Sequence, residues 1–283
     1  MFNFNSRQNS GGSEGNGKNF LPGAHVSLQS LGVRFQSARG EEVHAVSDFS
    51  VEIEPEEFVC LIGPSGCGKS TVLNVIAGFV EATSGSAEVD GKQIREPSPD
   101  RGVVFQDYAL FPWLNVLDNA SFGLRMQRVD KETRRQIAQE KIDQVHLKGF
   151  EAKYPHELSG GMKQRVGIAR ILASNPRVML MDEPFGALDA QTREMMQELL
   201  LEVWSQYKAT VIFVTHDLDE AIFLSDKIIL MSARPGTVKE IYENPLKRPR
   251  ELSVYTTAEF MDLKRRLNAS LREEIAAAMD LAG

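Results

Sequence analysis

The chain has 283 residues, a formal net charge of −7, 42% hydrophobic and 25% charged residues, the balance of a folded globular protein rather than a disordered chain or a coiled coil. Its acidity disfavours a polyanion partner such as DNA or RNA, and no run approaches the roughly 18 apolar residues that span a bilayer. Two cysteines, Cys60 and Cys67, exclude a disulfide framework, and the start Met1-Phe2-Asn3-Phe4-Asn5-Ser6-Arg7 lacks the apolar core of a secretion signal, so the chain is expected in the cytosol unless a partner holds it at a membrane.

In chain order, residues 1–23 are rich in Gly, Asn and Ser, which predicts a disordered tail. Pieces of alternation between Val26 and Ile53, such as Val43-His44-Ala45-Val46 and Phe49-Ser50-Val51-Glu52-Ile53, predict an antiparallel strand set. Glu57 to Ile62 follows as a short buried strand with Cys60 in its core. The next nine residues, Gly63-Pro64-Ser65-Gly66-Cys67-Gly68-Lys69-Ser70-Thr71, fit the phosphate-cradling pattern G-x-x-x-x-G-K-[ST], and a helix is predicted from Ser70 to Ala77. Glycines let the backbone turn tightly against a ligand. Successive N–H groups and a helix start then concentrate positive potential where phosphates would lie, Lys69 adds a full charge, and Ser70 offers a hydroxyl to Mg²⁺. Cys67 inside this loop reads as a bystander, although its modification would block a nucleotide.

Further strands are predicted at 101–105, 178–181, 210–214 and 227–231, short apolar runs separated by helices. That alternation indicates a parallel sheet buried on both faces, an α/β fold. Between Leu114 and Leu158 the pattern is helical and polar, which marks a separate helical subdomain. Asp182 and Glu183 close the strand at Arg177-Val178-Met179-Leu180-Met181, where a parallel sheet presents ligand-binding edges; taken alone, such a pair is equally a turn or a helix cap. After Pro245 the chain is basic at Lys247-Arg248-Pro249-Arg250. It ends in an amphipathic helix with Phe260, Leu263, Leu267, Leu271 and Ile275 at helical spacing, suited to packing on the core or to docking a partner.

The phosphate loop by itself also suits kinases and GTPases. Leu158-Ser159-Gly160-Gly161-Met162-Lys163-Gln164-Arg165 narrows the choice, because it resembles the LSGGQ signature of the ABC ATPase family. The remaining family motifs stand around it in order: Gln106 after a strand, Asp182-Glu183 as a Walker B end, Ala187-Leu188-Asp189, and His216 after Thr215. The resemblance runs from about Val26 to Pro235.

It implies a P-loop NTPase of ABC type, α/β with a parallel central sheet, an antiparallel β subdomain and a helical signature subdomain. The ATPase domain would cover 24–245, its helical part about 107–165, and 246–283 would be a C-terminal helical extension. ATP and Mg²⁺ are the implied cofactors, held by the loop from Gly63 to Thr71, with Ser70, Gln106 and Asp182 around the metal and Phe35 stacking on adenine, where the family more often has tyrosine. Glu183 would orient the attacking water, with Gln106 and His216 assisting. Ser159, Gly160 and Gly161 would hold the γ-phosphate of a second copy, so that a homodimer sandwiches two ATP molecules, and Asp189 would lie on the dimer seam.

In the family, the region of Asp107-Tyr108-Ala109-Leu110-Phe111-Pro112-Trp113-Leu114 receives a helix of a transmembrane permease. The stand-alone ATPase chain and Lys153-Tyr154-Pro155-His156-Glu157 before the signature favour import. Asp118 to Leu124 and Met231 to Gly236 resemble the nitrate, sulfonate, taurine and bicarbonate uptake group. The expected partners are therefore a second ATPase subunit, permease subunits and, indirectly, a periplasmic or extracellular solute-binding protein, with the chain peripheral on the cytoplasmic face of the inner membrane. Other readings stay open here: an exporter ATPase, a soluble ABC ATPase acting on ribosomes or DNA, and a P-loop kinase.

Overall fold

The computed structural model describes residues 21–36, 40–105, 107 and 109–280. Two strands, β1 (Val26–Gln36) and β2 (Glu42–Ile53), lead into β3 (Phe58–Ile62), whose five residues are all buried. Helix α1 (Lys69–Ala77) starts at the end of the phosphate loop. Next come β4 (Ser84–Val89), β5 (Lys92–Gln93) and β6 (Arg101–Val104), and then three helices, α2 (Val116–Ala120), α3 (Phe122–Met126) and α4 (Lys131–Gln144). The chain continues through α5 (Gly160–Ala173), β7 (Val178–Asp182), α6 (Ala190–Tyr207), β8 (Thr210–Val214), α7 (Leu218–Leu224), β9 (Lys227–Met231), β10 (Val238–Glu243) and α8 (Ala258–Asp280).

Two sheets form. β10-β9-β3-β8-β7-β6 is the larger, parallel from β9 to β6, with β10 added antiparallel at one edge. Because both faces of its inner strands are covered, the run Phe58-Val59-Cys60-Leu61-Ile62 carries no polar alternation. The smaller sheet is antiparallel, in the order β2-β1-β4-β5. Val43–Val46 and Phe49–Ile53 therefore belong to one strand, and β4, β5 and β10 join sheets that the alternation pattern did not announce. These three are short or carry Gly, Glu and Lys in place of an apolar run.

Local sequence sets most helix starts. Asn115, Asp130, Ser159, Asp189 and Asp217 each sit just before a helix, and each side chain accepts hydrogen bonds from backbone N–H groups of the first turn. α6 ends at Lys208 in the left-handed region, with φ 53°.

The first core face lies between the larger sheet and helices α5, α6 and α7, built around Phe58, Phe213, Phe185 and Trp204; the second joins the smaller sheet to α1. Of the predicted stripe on α8, Phe260, Leu263 and Leu267 are buried in the first core, Leu271 packs at its margin and Ile275 is exposed. Most of the predicted tail, residues 1–20, lies outside the described residues. Within 21–23, the Arg177 guanidinium donates to the carbonyls of Pro22 and Gly23, and the Gly23 N–H donates to Lys208. Among the described residues no helix is long and apolar enough to cross a membrane.

Candidate nucleotide site

The strand-to-helix turn after β3 wraps a cleft of about 480 Å³. Its wall is made by Phe35 and Val43 of the smaller sheet, by the loop from Gly63 to Thr71, by Glu183 and His216 beyond the ends of β7 and β8, and by Arg234. Gly68 permits the turn: its φ is +104°, and an added Cβ would lie 2.8 Å from the Ala45 carbonyl. Lys69 is nearly enclosed, and its Nζ donates to the carbonyls of Gly63 and Pro64, both at 2.9 Å.

Ser70 Oγ donates to Asp182 Oδ1 at 3.1 Å, joining the first turn of α1 to the end of β7. Burial raises the Asp182 carboxyl above its ordinary range and Glu183 adds to the rise, while the Ser70 hydrogen bond and Lys69 oppose it. A hydroxyl and a carboxylate meeting beside the phosphate loop form an oxygen donor set of the kind a nucleotide-bound Mg²⁺ takes. Glu183, the next residue, has φ +44°, a left-handed conformation unusual for a side-chain-bearing residue and found at sites that aim a group into a ligand. Its Oε2 lies 3.2 Å from His216 Nδ1. Glu183 also opens the turn that follows β7, its carbonyl accepting the Gly186 N–H at 3.2 Å.

Cys67 is buried against the loop, and burial pushes its thiol up despite the pull of Lys69. A thiol held protonated is a poor nucleophile, which suits the bystander role. Gln106, expected at the metal and the water, lies outside the described residues, as does Tyr108.

The signature segment stands apart from the cleft. Ser159 caps α5, its Oγ accepting the Met162 N–H at 3.3 Å, and none of Ser159, Gly160 and Gly161 lines the cleft wall. Asp189 caps α6, accepting from the N–H and the hydroxyl of Thr192, and these bonds hold its carboxyl below the ordinary range. The two segments abut: a Cβ added to Gly161 would come within 2.7 Å of Thr192 Cγ2. The capped starts of α5 and α6 thus lie side by side.

The sequence reading placed neither Val43 nor Arg234 at the nucleotide, although both line the cleft. Val43 looks like any residue of a half-buried strand, and Arg234 lies in a loop with no phosphate-binding pattern.

The chain matches the family model described as ABC transporter over residues 46–186. It is 47% identical over 215 residues to the nitrate import ATP-binding protein NrtD of Synechocystis sp., which covers 76% of this chain and 80% of that protein. Similarity to the aliphatic sulfonates import ATP-binding protein SsuB of Bacillus cereus is also 47% over 225 residues, 80% of this chain and 88% of the other. Among solved structures, a dimeric ATP-binding cassette in a post-hydrolysis state bound to ADP and Pi superposes with a TM-score of 0.69 at 32% identity, covering 78% of this chain and 100% of that one. With identity and coverage of this order, the chain belongs to the ABC transporter ATP-binding family.

Proposed function

We propose that this chain binds and hydrolyses ATP to power a membrane importer of a small anion, with nitrate, an aliphatic sulfonate, taurine and bicarbonate as the solute class. The observation that carries this reading is the convergence of Lys69, Ser70, Glu183 and His216 on one cleft, with Asp182 bonded to Ser70, together with the likeness to nitrate and sulfonate import subunits. A kinase reading leaves Glu183 and the capped signature turn without a use. Neither the exporter nor the ribosome- or DNA-directed reading draws support from the import subunits that this chain resembles.

In this mechanism adenine stacks on Phe35, whose ring is 41% exposed at the cleft wall, and the phosphates lie on the amides between Gly63 and Thr71. Lys69 neutralises phosphate charge. Ser70 and Asp182 would hold Mg²⁺, with Gln106 as the third residue of the set; the bound ion screens the charge developing on the phosphate oxygens. Glu183 accepts a hydrogen bond from the attacking water and orients it in line with the γ-phosphate. His216, whose Nδ1 faces Glu183, donates from its other ring nitrogen toward the γ-phosphate oxygen and steadies the charge of the transition state. Ser159, Gly160 and Gly161 of a second copy close the cleft, and Asp189 lies along that seam.

The energy leaves through a second surface. An apolar groove of about 510 Å³ lies between Phe105, Phe111, Phe122 and Met126, with the Phe111 and Phe122 rings 4.2 Å apart and Trp113 71% exposed nearby. Buried Asn119 pins the turn: it accepts from the Phe111 N–H and donates to the carbonyls of Phe111, Leu114 and Asn115. A helix of the permease docks in this groove and holds the ATPase at the cytoplasmic face of the membrane; a solute-binding protein delivers the anion on the other side. Reconstitution in proteoliposomes with a candidate permease and binding protein tests the reading, with uptake of labelled nitrate or taurine expected only when ATP is inside. Uptake indifferent to Glu183→Gln would sink it.

A further inference from the structure

Between β9 and β10 the chain makes a loop, 232–237, that rests on the phosphate loop. Gly236 donates its N–H to the Ala45 carbonyl at 3.0 Å and accepts from the Ser47 N–H at 3.0 Å, and a Cβ on Gly236 would fall 2.0 Å from the Cys67 carbonyl oxygen. The backbone contact is so close that side chain 234 has a fixed origin. From it, Arg234 reaches into the wall of the nucleotide cleft, where its Nε donates to the Gly66 carbonyl at 3.3 Å. Among the described residues of that wall, Lys69 and Arg234 are the two with a full positive charge. Lys69 is enclosed by loop carbonyls, whereas Arg234 is exposed at the mouth of the cleft. With Nε on Gly66, the two terminal guanidinium nitrogens are the donors left for a ligand, in the geometry that suits two phosphate oxygens.

The loop is also gripped from behind. Glu274 of α8 is only 6% exposed; its Oε2 accepts the Ala233 N–H at 2.9 Å, and its Oε1 pairs with Lys239 Nζ at 2.8 Å. A buried carboxylate of the C-terminal helix thus holds the residue next to Arg234. Both Arg234 and Glu274 lie beyond the 46–186 segment that defines the family match.

We infer that Arg234 contacts the phosphate chain of ATP through its guanidinium, and that Glu274 is the positioning residue that keeps it there. The inference rests on the ATP reading of the cleft. Its consequence is that the C-terminal helix is part of the nucleotide site rather than an appendage.

The test uses the full chain, with calorimetric titration of ATP, ADP and AMP and steady-state ATPase rates. Arg234→Ala is expected to weaken ATP by about tenfold and ADP less, as for loss of a hydrogen bond to a charged group, with AMP little changed. Arg234→Lys recovers part of the loss. Arg234→Gln, able to donate to Gly66 but uncharged, does not. Glu274→Ala raises the KM for ATP by about threefold with kcat kept, as for loss of a positioning contact, and Glu274→Gln, whose amide oxygen still accepts the Ala233 N–H, restores it. Arg234→Ala within twofold of the native affinity overturns the inference. So does an Arg234→Gln chain that binds like the native one, since bracing of Gly66 would then suffice. Native protein that binds no ATP, and matches Lys69→Ala in that respect, overturns the ATP reading itself and this inference with it.

Discussion

The phosphate loop and the signature segment are both glycine-bearing starts of helices, yet the fold treats them differently. Around Lys69 the chain gathers groups from far apart in sequence, Phe35, Glu183, His216 and Arg234 at the cleft wall and Asp182 bonded to Ser70. Ser159 lines no part of that cleft among the described residues; it caps α5, and Gly161 packs on Thr192. One is part of a cleft and the other is an exposed, capped helix start. A ligand held by both needs two chains, and the close likeness to a dimeric cassette agrees with that division.

The sharpest way to break the comparison is Glu183→Gln. It should lower hydrolysis by about a hundredfold or more, the usual scale for a positioned base, while ATP binding persists and an ATP-bound dimer accumulates on size-exclusion chromatography. A native hydrolysis rate would remove Glu183 from the mechanism. Lys69→Ala should weaken ATP by about tenfold to a hundredfold, as for a desolvated charged contact, read by calorimetry; unaltered affinity would mean that the cleft is something else.

Ser159→Arg addresses the other half. It should leave ATP binding by the isolated chain intact and abolish the dimer and hydrolysis. Mixing Ser159→Arg with Lys69→Ala should restore hydrolysis that neither shows alone, because one intact loop then faces one intact signature. No recovery in the mixture, with both chains folded, would argue that the site closes within one chain. Phe35→Ala is the smallest effect: about fivefold weaker ATP and ADP alike, from lost stacking, with kcat unchanged.

The signals that were legible in the sequence are the local ones. The loop from Gly63 to Thr71 and the strand that ends at Asp182 follow from residues within a turn of one another, where sterics and backbone hydrogen bonding leave few choices. Order along the chain then carried the family resemblance, which the matches at 47% identity support. Less legible were β4, β5 and β10, whose pairing is fixed by neighbours rather than by an apolar rhythm. The stripe on α8 was legible as far as Leu271, which still packs against the core, while Ile275 is exposed.

Residue type and spacing by themselves determined that this protein carries a phosphate loop and an acidic strand end, because each is a short-range construction, while Ser159-Gly160-Gly161 gained its meaning from the order of the motifs around it. Only the tertiary structure decided which of these meet. Ser70 reaches Asp182 across 112 residues, and Arg234 reaches Gly66 across 168. Such contacts depend on strand order in the larger sheet and on a loop that fits backbone against backbone, neither of which leaves a periodic trace. The same packing kept Ser159 away from the cleft of its own chain, because α5 covers one sheet face while its capped end points outward.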